Sequence, residues 1–172
     1  MLNVLFLCTH NSARSILSEA LLNHLDAQCA MPGRFRAYSA GSSPRADQQP
    51  HPMALEVLQS AGVCTEGLHS KGWETFSAPG APSMDLIITV CDNAAGETCP
   101  LWPGHPATAH WGYPDPAQGD APDARKREAF RQTLHAIHQR LKLLMSLPPE
   151  MLQGNLLQRA ARSLPSPSSI HP

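Results

Sequence analysis

The chain has 172 residues and a formal net charge of −1, the size of one domain that can bury a core without metals or disulfides to staple it. Its near-neutral balance excludes the broad basic footprint of a nucleic-acid binder, so no nucleic-acid partner is expected. No apolar run reaches membrane-span length, and the opening stretch 1–7 lacks the basic flank and cleavage site of a secretory leader, so a cytoplasmic protein with no membrane partner is predicted.

In chain order, the apolar run 2–7 reads as a strand, and Ile16, Leu17, Ala20, Leu21, His24 and Leu25 then recur with helical spacing. A second strand is predicted at 35–39. A second helix carries Ala54, Leu55, Val57, Leu58 and Ala61, with Gly62 placed to cap its end. A weaker helical pattern at 73–76 precedes a third strand at 85–90 and a fainter fourth at 107–111. The long helix that follows has Ala129, Phe130, Leu134, Ile137, Leu141, Leu144 and Met145 on one face, and Pro148-Pro149 stops it. Strands alternating with helices predict an α/β fold: a four-stranded parallel sheet flanked by helices on both faces. Residues 1–147 form the predicted functional domain; 148–172 are a carboxy-terminal extension, a short helix at 150–162 followed by a disordered Ser- and Pro-rich tail.

The five cysteines stand at 8, 29, 64, 91 and 99, an odd number without framework regularity or paired zinc spacing, which favours reactive thiols over structural disulfides. Cys8 ends the first strand, and Thr9-His10-Asn11-Ser12-Ala13-Arg14-Ser15 lead into the first helix, giving C-x5-R-S at a strand-to-helix turn. The carboxyl edge of a parallel sheet is where ligands bind, and a helix amino terminus there offers unpaired N–H groups and a favourable dipole to an anion. The same electropositive end favours the nucleophilic thiolate of a cysteine. Residues 9–15 thus form a candidate oxyanion cradle, with Arg14 closing it through a bidentate fork and Ser15 placed to donate to the Cys8 sulfur. Within the cradle the backbone N–H groups do the binding, so the His10 side chain is expected to face outward. Asp115, in the rigid Pro114-Asp115-Pro116 stretch, is held at the same sheet edge.

Cys8 to Ser15, Tyr38-Ser39-Ala40-Gly41, Thr89-Val90-Cys91-Asp92 with Cys99-Pro100, and His110-Trp111-Gly112-Tyr113-Pro114-Asp115 stand in an order that resembles the low-molecular-weight tyrosine phosphatase family, which is flavodoxin-like in fold. The paired downstream cysteines resemble its arsenate reductase branch. The resemblance implies that arsenate, with phosphate or sulfate as analogues, is attacked by Cys8, that Cys91 then attacks Cys8 to release arsenite, and that Cys99 takes over to leave Cys91 bonded to Cys99. It implies that Asp115 is the general acid and that Asn11 and Ser39 brace the cradle. It also implies no bound cofactor, but an external thiol reductant, either thioredoxin or glutathione with glutaredoxin. Some reductases of the family hold a potassium ion beside the loop with an acidic residue where this chain has Lys71, in Leu68-His69-Ser70-Lys71, so no metal is expected here.

Cys91 and Cys99 on one helix would lie eight residues and roughly 12 Å apart, whereas a disulfide needs Cα atoms within about 7 Å. A mobile redox loop is therefore predicted at 91–103, with Asn93-Ala94-Ala95-Gly96 as its bend. Zinc binding by Cys91, Cys99, His105 and His110 fits no tight ligand spacing. Cys29 and Cys64 lie outside any motif and read as structural. The competing readings are a tyrosine phosphatase using Cys8, Arg14 and Asp115 alone, disfavoured because Pro116-Ala117 rather than aromatics follow the acid, and a non-catalytic module that senses anions or redox state.

Overall fold

The computed structural model describes residues 1–92 and 102–166. Four strands, β1 (Leu2–Cys8), β2 (Phe35–Gly41), β3 (Leu86–Thr89) and β4 (Ala107–His110), form one sheet in the order β2-β1-β3-β4. Every pairing is parallel; Cys8 lies beside Gly41, and Leu7 beside Thr89. β1 is central and covered on both faces, which is why it reads as a continuous apolar run: Val4, Leu5, Phe6 and Leu7 are all fully buried.

Alternation along the strands divides two unequal cores. Val4, Phe6 and Cys8 face the larger one with Leu86, Ile88 and Trp111, against α1 (Arg14–Gln28), α2 (Pro52–Ser60), α4 (Asp123–Met145) and α5 (Gly154–Ser163). Leu5 and Leu7 face a smaller one with Ala40, Met84, Ile87 and Phe76, the last carried by the short α3 (Glu74–Ser77). Helices thus lie on both faces, in agreement with the sequence pattern.

Local chemistry sets the boundaries. α2 begins before its apolar repeat because Pro52 occupies the first turn and the His51 ring caps it, accepting from Met53 N–H at 3.1 Å. α4 starts six residues ahead of Ala129, with Asp123 in its first turn complementing the helix dipole. The turn from α1 into β2 is tied by buried Asp26, whose carboxylate accepts from the N–H groups of Gly33, Arg34 and Phe35 at 2.7, 3.1 and 3.0 Å. The helix predicted at 150–162 is divided into a 3-10 turn at Pro149–Met151 and α5, because Gly154 has φ +48°.

α5 lies along the outer edge of the sheet. Trp111 Nε1 donates to Ala161 O at 2.9 Å, Gln158 Oε1 accepts from Thr108 N at 3.0 Å, and Arg162 Nε donates to Thr108 O at 2.9 Å. The bonds from Gln158 and Arg162 satisfy the Thr108 backbone groups that an edge strand otherwise leaves open. Among the described residues no helix is long and apolar enough to cross a membrane.

Leu157 of α5 is 1% exposed in the main core. Truncation to alanine there is expected to cost about 2–5 kcal/mol, read as a lower urea midpoint; a loss below about 0.5 kcal/mol, the surface-substitution range, would show that α5 contributes little to the fold.

Candidate active site

β1 delivers Cys8 to the carboxyl edge of the sheet and α1 starts at Arg14, so residues 9–13 must turn between them. Neighbouring backbone holds that turn. Ser42 N donates to Cys8 O at 2.9 Å, Ser43 N to Thr9 O at 2.8 Å, and His51 N to Ser12 O at 2.8 Å. Gly41 is required by close approach: a Cβ there would stand 2.7 Å from Thr9 O and 2.9 Å from the His10 carbonyl carbon.

Asn11 is the hub of the cradle. It is fully buried with φ +56°, a left-handed conformation that asparagine tolerates. Its N–H donates to Cys8 Sγ at 3.2 Å, its Nδ2 donates to Ser15 Oγ at 2.8 Å, its Oδ1 accepts from Lys71 N at 3.0 Å, and its carbonyl accepts from the Ser70 hydroxyl at 2.6 Å. Ser15 Oγ accepts from Asn11 and lies 2.9 Å from Cys8 Sγ, within reach to donate its own hydrogen there. The Asn11 N–H and the Ser15 hydroxyl thus both face the buried sulfur.

A small cavity of about 70 Å³ opens over Cys8, bounded by residues of the turn, Arg14, Asp115 and Ala117. This brings Asp115 to the cradle across more than 100 positions of sequence. Its Oδ1 accepts from Ala117 N at 3.0 Å, an Asx-type turn that fixes the carboxylate. Arg14 is anchored by Nη1 donating to Tyr113 O at 2.9 Å, which leaves its remaining donors for an anion. The side chain of His10 is exposed. A larger cavity, about 430 Å³, lies between α1, α2 and α4 and contains none of these residues; its size carries no chemistry comparable to a thiol faced by the Asn11 N–H and the Ser15 hydroxyl.

Cys91 is 2% exposed, and its Sγ lies 3.7 Å from Thr9 Oγ1, so a second buried thiol abuts the cradle. Cys99 and the bend at 93–96 lie outside the described residues. Cys8, Cys29, Cys64 and Cys91 are free; Cys29 directs its thiol to Asp26 O, and Cys64 is exposed. Ser39 does not bond the cradle backbone among the described residues. Its hydroxyl donates to Glu19 Oε2 at 2.5 Å instead. The brace from that side comes from Ser70 and Lys71.

Four participants were not singled out from sequence: Glu19, His51, Ser70 and Tyr113. Glu19 had a readable signal, a charge on the inward face of α1 one turn beyond Ser15. His51 had another, the proline after it at a helix start. Ser70 and Tyr113 act through the cradle carbonyl and a backbone carbonyl respectively, which no residue-type pattern discloses.

Comparison with known proteins is consistent with this geometry. Residues 3–158 match the family described as low molecular weight phosphotyrosine protein phosphatase. An arsenate reductase of Bacillus licheniformis is 29% identical over 139 residues, covering 81% of this chain and 91% of that protein. A solved arsenate reductase in its phosphate-binding state is similar with a TM-score of 0.62 at 26% identity, covering 85% of this chain and 98% of that one. A thioredoxin-dependent arsenate reductase of Corynebacterium glutamicum is similar with a TM-score of 0.53 at 25% identity, covering 83% of this chain and 63% of that one.

The His51 ring supports the cradle in its neutral form, since Nδ1 must accept from Met53. Burial lowers its pKa from the ordinary 6.5, with Lys126 assisting and Asp115 opposing. A depressed imidazole contributes stability that is present above the ordinary value and lost as pH falls through the folded one. Wild type is therefore expected to lose more unfolding free energy than His51→Asn between pH 8 and pH 5, a range of about three units spanning the imidazole titration; identical losses in denaturant melts would refute the role of the ring.

Proposed function

Since the chain belongs to the low-molecular-weight phosphotyrosine protein phosphatase family, we propose that it is an arsenate reductase in which the cradle binds arsenate and the reducing electrons come from its own thiols. The observation that carries this reading is the second buried thiol beside the cradle, Cys91, in contact with Thr9. The names of the Bacillus licheniformis relative and of the phosphate-binding structure support it.

In the proposed reaction the backbone N–H groups of 9–15 and the free donors of Arg14 hold the tetrahedral oxyanion, and phosphate or sulfate would bind as analogues. Cys8 thiolate attacks arsenic, and an arsenic-bound hydroxyl departs as water with a proton from Asp115. Cys91 thiolate then attacks Cys8 Sγ. The sulfur–arsenic bond breaks, its electron pair stays on arsenic, and arsenic(V) leaves as arsenite while Cys8 and Cys91 become a disulfide. Cys99 thiolate attacks Cys91, Cys8 is released as thiolate, and a Cys91–Cys99 disulfide awaits reduction.

An external dithiol must supply the two electrons. Thioredoxin is the proposed donor, by similarity to the Corynebacterium glutamicum protein named as thioredoxin-dependent; glutathione with glutaredoxin is the alternative. The proposed setting is the cytoplasm, where such reductants keep thiols reduced. Residues 1–147 are proposed to carry the chemistry, with 148–172 as an extension whose helix seals the sheet edge.

The family's own description favours a second reading, a phosphatase using Cys8, Arg14 and Asp115. Arsenate-dependent NADPH oxidation through thioredoxin and its reductase, measured beside phosphotyrosine hydrolysis, separates the two. Cys8→Ser and Cys91→Ser are each expected to lower arsenate turnover by about a thousandfold or more, as members of a unit that acts together. Cys91→Ser should leave any phosphotyrosine hydrolysis unchanged. Arsenate turnover surviving in Cys91→Ser would overturn the cascade, and a lack of arsenate-dependent oxidation in wild type would favour the phosphatase or a non-catalytic module. Loss of thioredoxin coupling in Cys99→Ser, with single-turnover arsenite release retained, would assign Cys99 to the last exchange.

A further inference from the structure

Two adjoining strand ends carry a chain of side-chain contacts that the proposed reaction does not use. Parallel register sets Thr89, the last residue of β3, beside His110, the last of β4. Thr89 Oγ1 lies 2.7 Å from His110 Nδ1, and His110 Nε2 lies 2.9 Å from Asp92 Oδ1. A carboxylate oxygen can only accept, so Nε2 donates to it, which leaves Nδ1 of the neutral ring to accept from the Thr89 hydroxyl. Gly112 gives the pair its room: a Cβ there would stand 2.9 Å from Asp92 Oδ1 and 3.0 Å from His110 Nε2.

Asp92 directly follows Cys91. Among the described residues, the backbone bonds that fasten this stretch to the sheet end at Val90, whose N–H donates to Leu7 O at 2.8 Å and whose carbonyl accepts from Tyr113 N at 3.3 Å. One residue on, the Cys91 thiol meets Thr9 of the cradle; two residues on, the Asp92 carboxylate meets His110. Exposed pairs of long side chains contribute little, because ordering both offsets their attraction. The Asp92 side chain is 93% exposed, but the ring it meets is held at its other nitrogen by Thr89 and the aspartate side chain is short, so there is less freedom to lose.

We propose that His110 is a positioning residue for Cys91: fixed by Thr89, its ring holds Asp92 against Gly112 and so keeps the neighbouring Cys91 thiol seated on the cradle. The inference rests on Cys91 being the second thiol of the proposed reaction. His110 touches neither the oxyanion nor the reacting sulfurs; it acts through the backbone of residues 91–92. Attack by one sulfur on another needs the reacting atoms held close and aligned, and a small displacement of the attacker is costly. The same strand-end stretch holds Arg14 through the Tyr113 carbonyl, so one segment orders both the anion's guanidinium and the second thiol.

Alkylation of the reduced full chain by iodoacetamide, followed at each cysteine by mass spectrometry, reads the seating of Cys91 without arsenate. Exposed Cys64 serves as the internal reference, and Cys91, 2% exposed, should react slowly in wild type. Asp92→Ala, an exposed change that leaves the core intact, and His110→Ala should each raise Cys91 alkylation by about fivefold, the ratio set by one hydrogen bond of ordinary net strength. Gly112→Ala, which keeps every polar group but pushes the pair apart, should do the same. Asp92→Asn, whose amide oxygen still accepts from Nε2, should stay within about twofold of wild type. In all of these variants Cys8 and Cys29 should react as in wild type. Where wild type turns over arsenate, His110→Ala should lower kcat and leave KM unchanged. The expected alkylation pattern without any arsenate turnover would count against the reductase reading and still support the seating. Unchanged Cys91 alkylation in Asp92→Ala and His110→Ala would overturn the proposal. So would an equal rise at Cys8 and Cys29, which marks general loosening, or an Asp92→Asn variant as reactive as Asp92→Ala.

Discussion

The cradle depends on one asparagine held in a conformation that most residues avoid. Asn11 has a left-handed backbone, and all its polar groups are engaged, with the Cys8 sulfur, Ser15, Ser70 and Lys71. An unusual φ persists only where its surroundings over-determine it, and here four partners from three segments do so. The consequence reaches the sulfur directly, because the Asn11 N–H donates to Cys8 Sγ and its side chain holds Ser15 Oγ 2.9 Å from the same sulfur. The rest of the fold brings those partners together. Parallel pairing sets Cys8 beside Gly41, Gly41 reaches Lys71, and Lys71 reaches Asn11.

Packing and polarity divide the work around that hub. The central strand is apolar because both its faces are covered, which fixes the height at which Cys8 emerges. Arg14 and Asp115 approach from distant parts of the sequence, one opening α1 and the other on the turn after β4. Tyr113 joins them, since its carbonyl holds Arg14 two residues before the acid. The buried Arg140 lies over the rings of Trp111 and Tyr113, 5.2 and 5.7 Å from their centroids, so the strand-end segment carrying Asp115 is pinned from behind by α4.

The sheet, its parallel sense and the placement of Cys8 at a strand-to-helix turn were legible from periodicity and one motif, because each is written in contiguous residues. Boundaries moved where a cap or a proline overrode the apolar repeat, as at Pro52 and Asp123. Ser39 departs from what the family resemblance implies. A brace of the cradle was expected, yet the neighbouring half-buried Glu19 carboxylate is the stronger acceptor and takes its hydrogen. Ser70 and Tyr113 were opaque because each acts through a contact made only once distant segments meet. The segment containing Cys99 lies outside the described residues.

Thr108 on β4 has its backbone N–H and carbonyl occupied by Gln158 and Arg162 of α5, side chains imitating what a fifth strand would offer. A parallel sheet ending without such a cover invites another extended segment to add itself by main-chain pairing. The carboxy-terminal helix thus guards solitude as well as packing: it occupies in advance, with groups that cannot propagate a ladder, the margin along which copies of the chain would otherwise adhere.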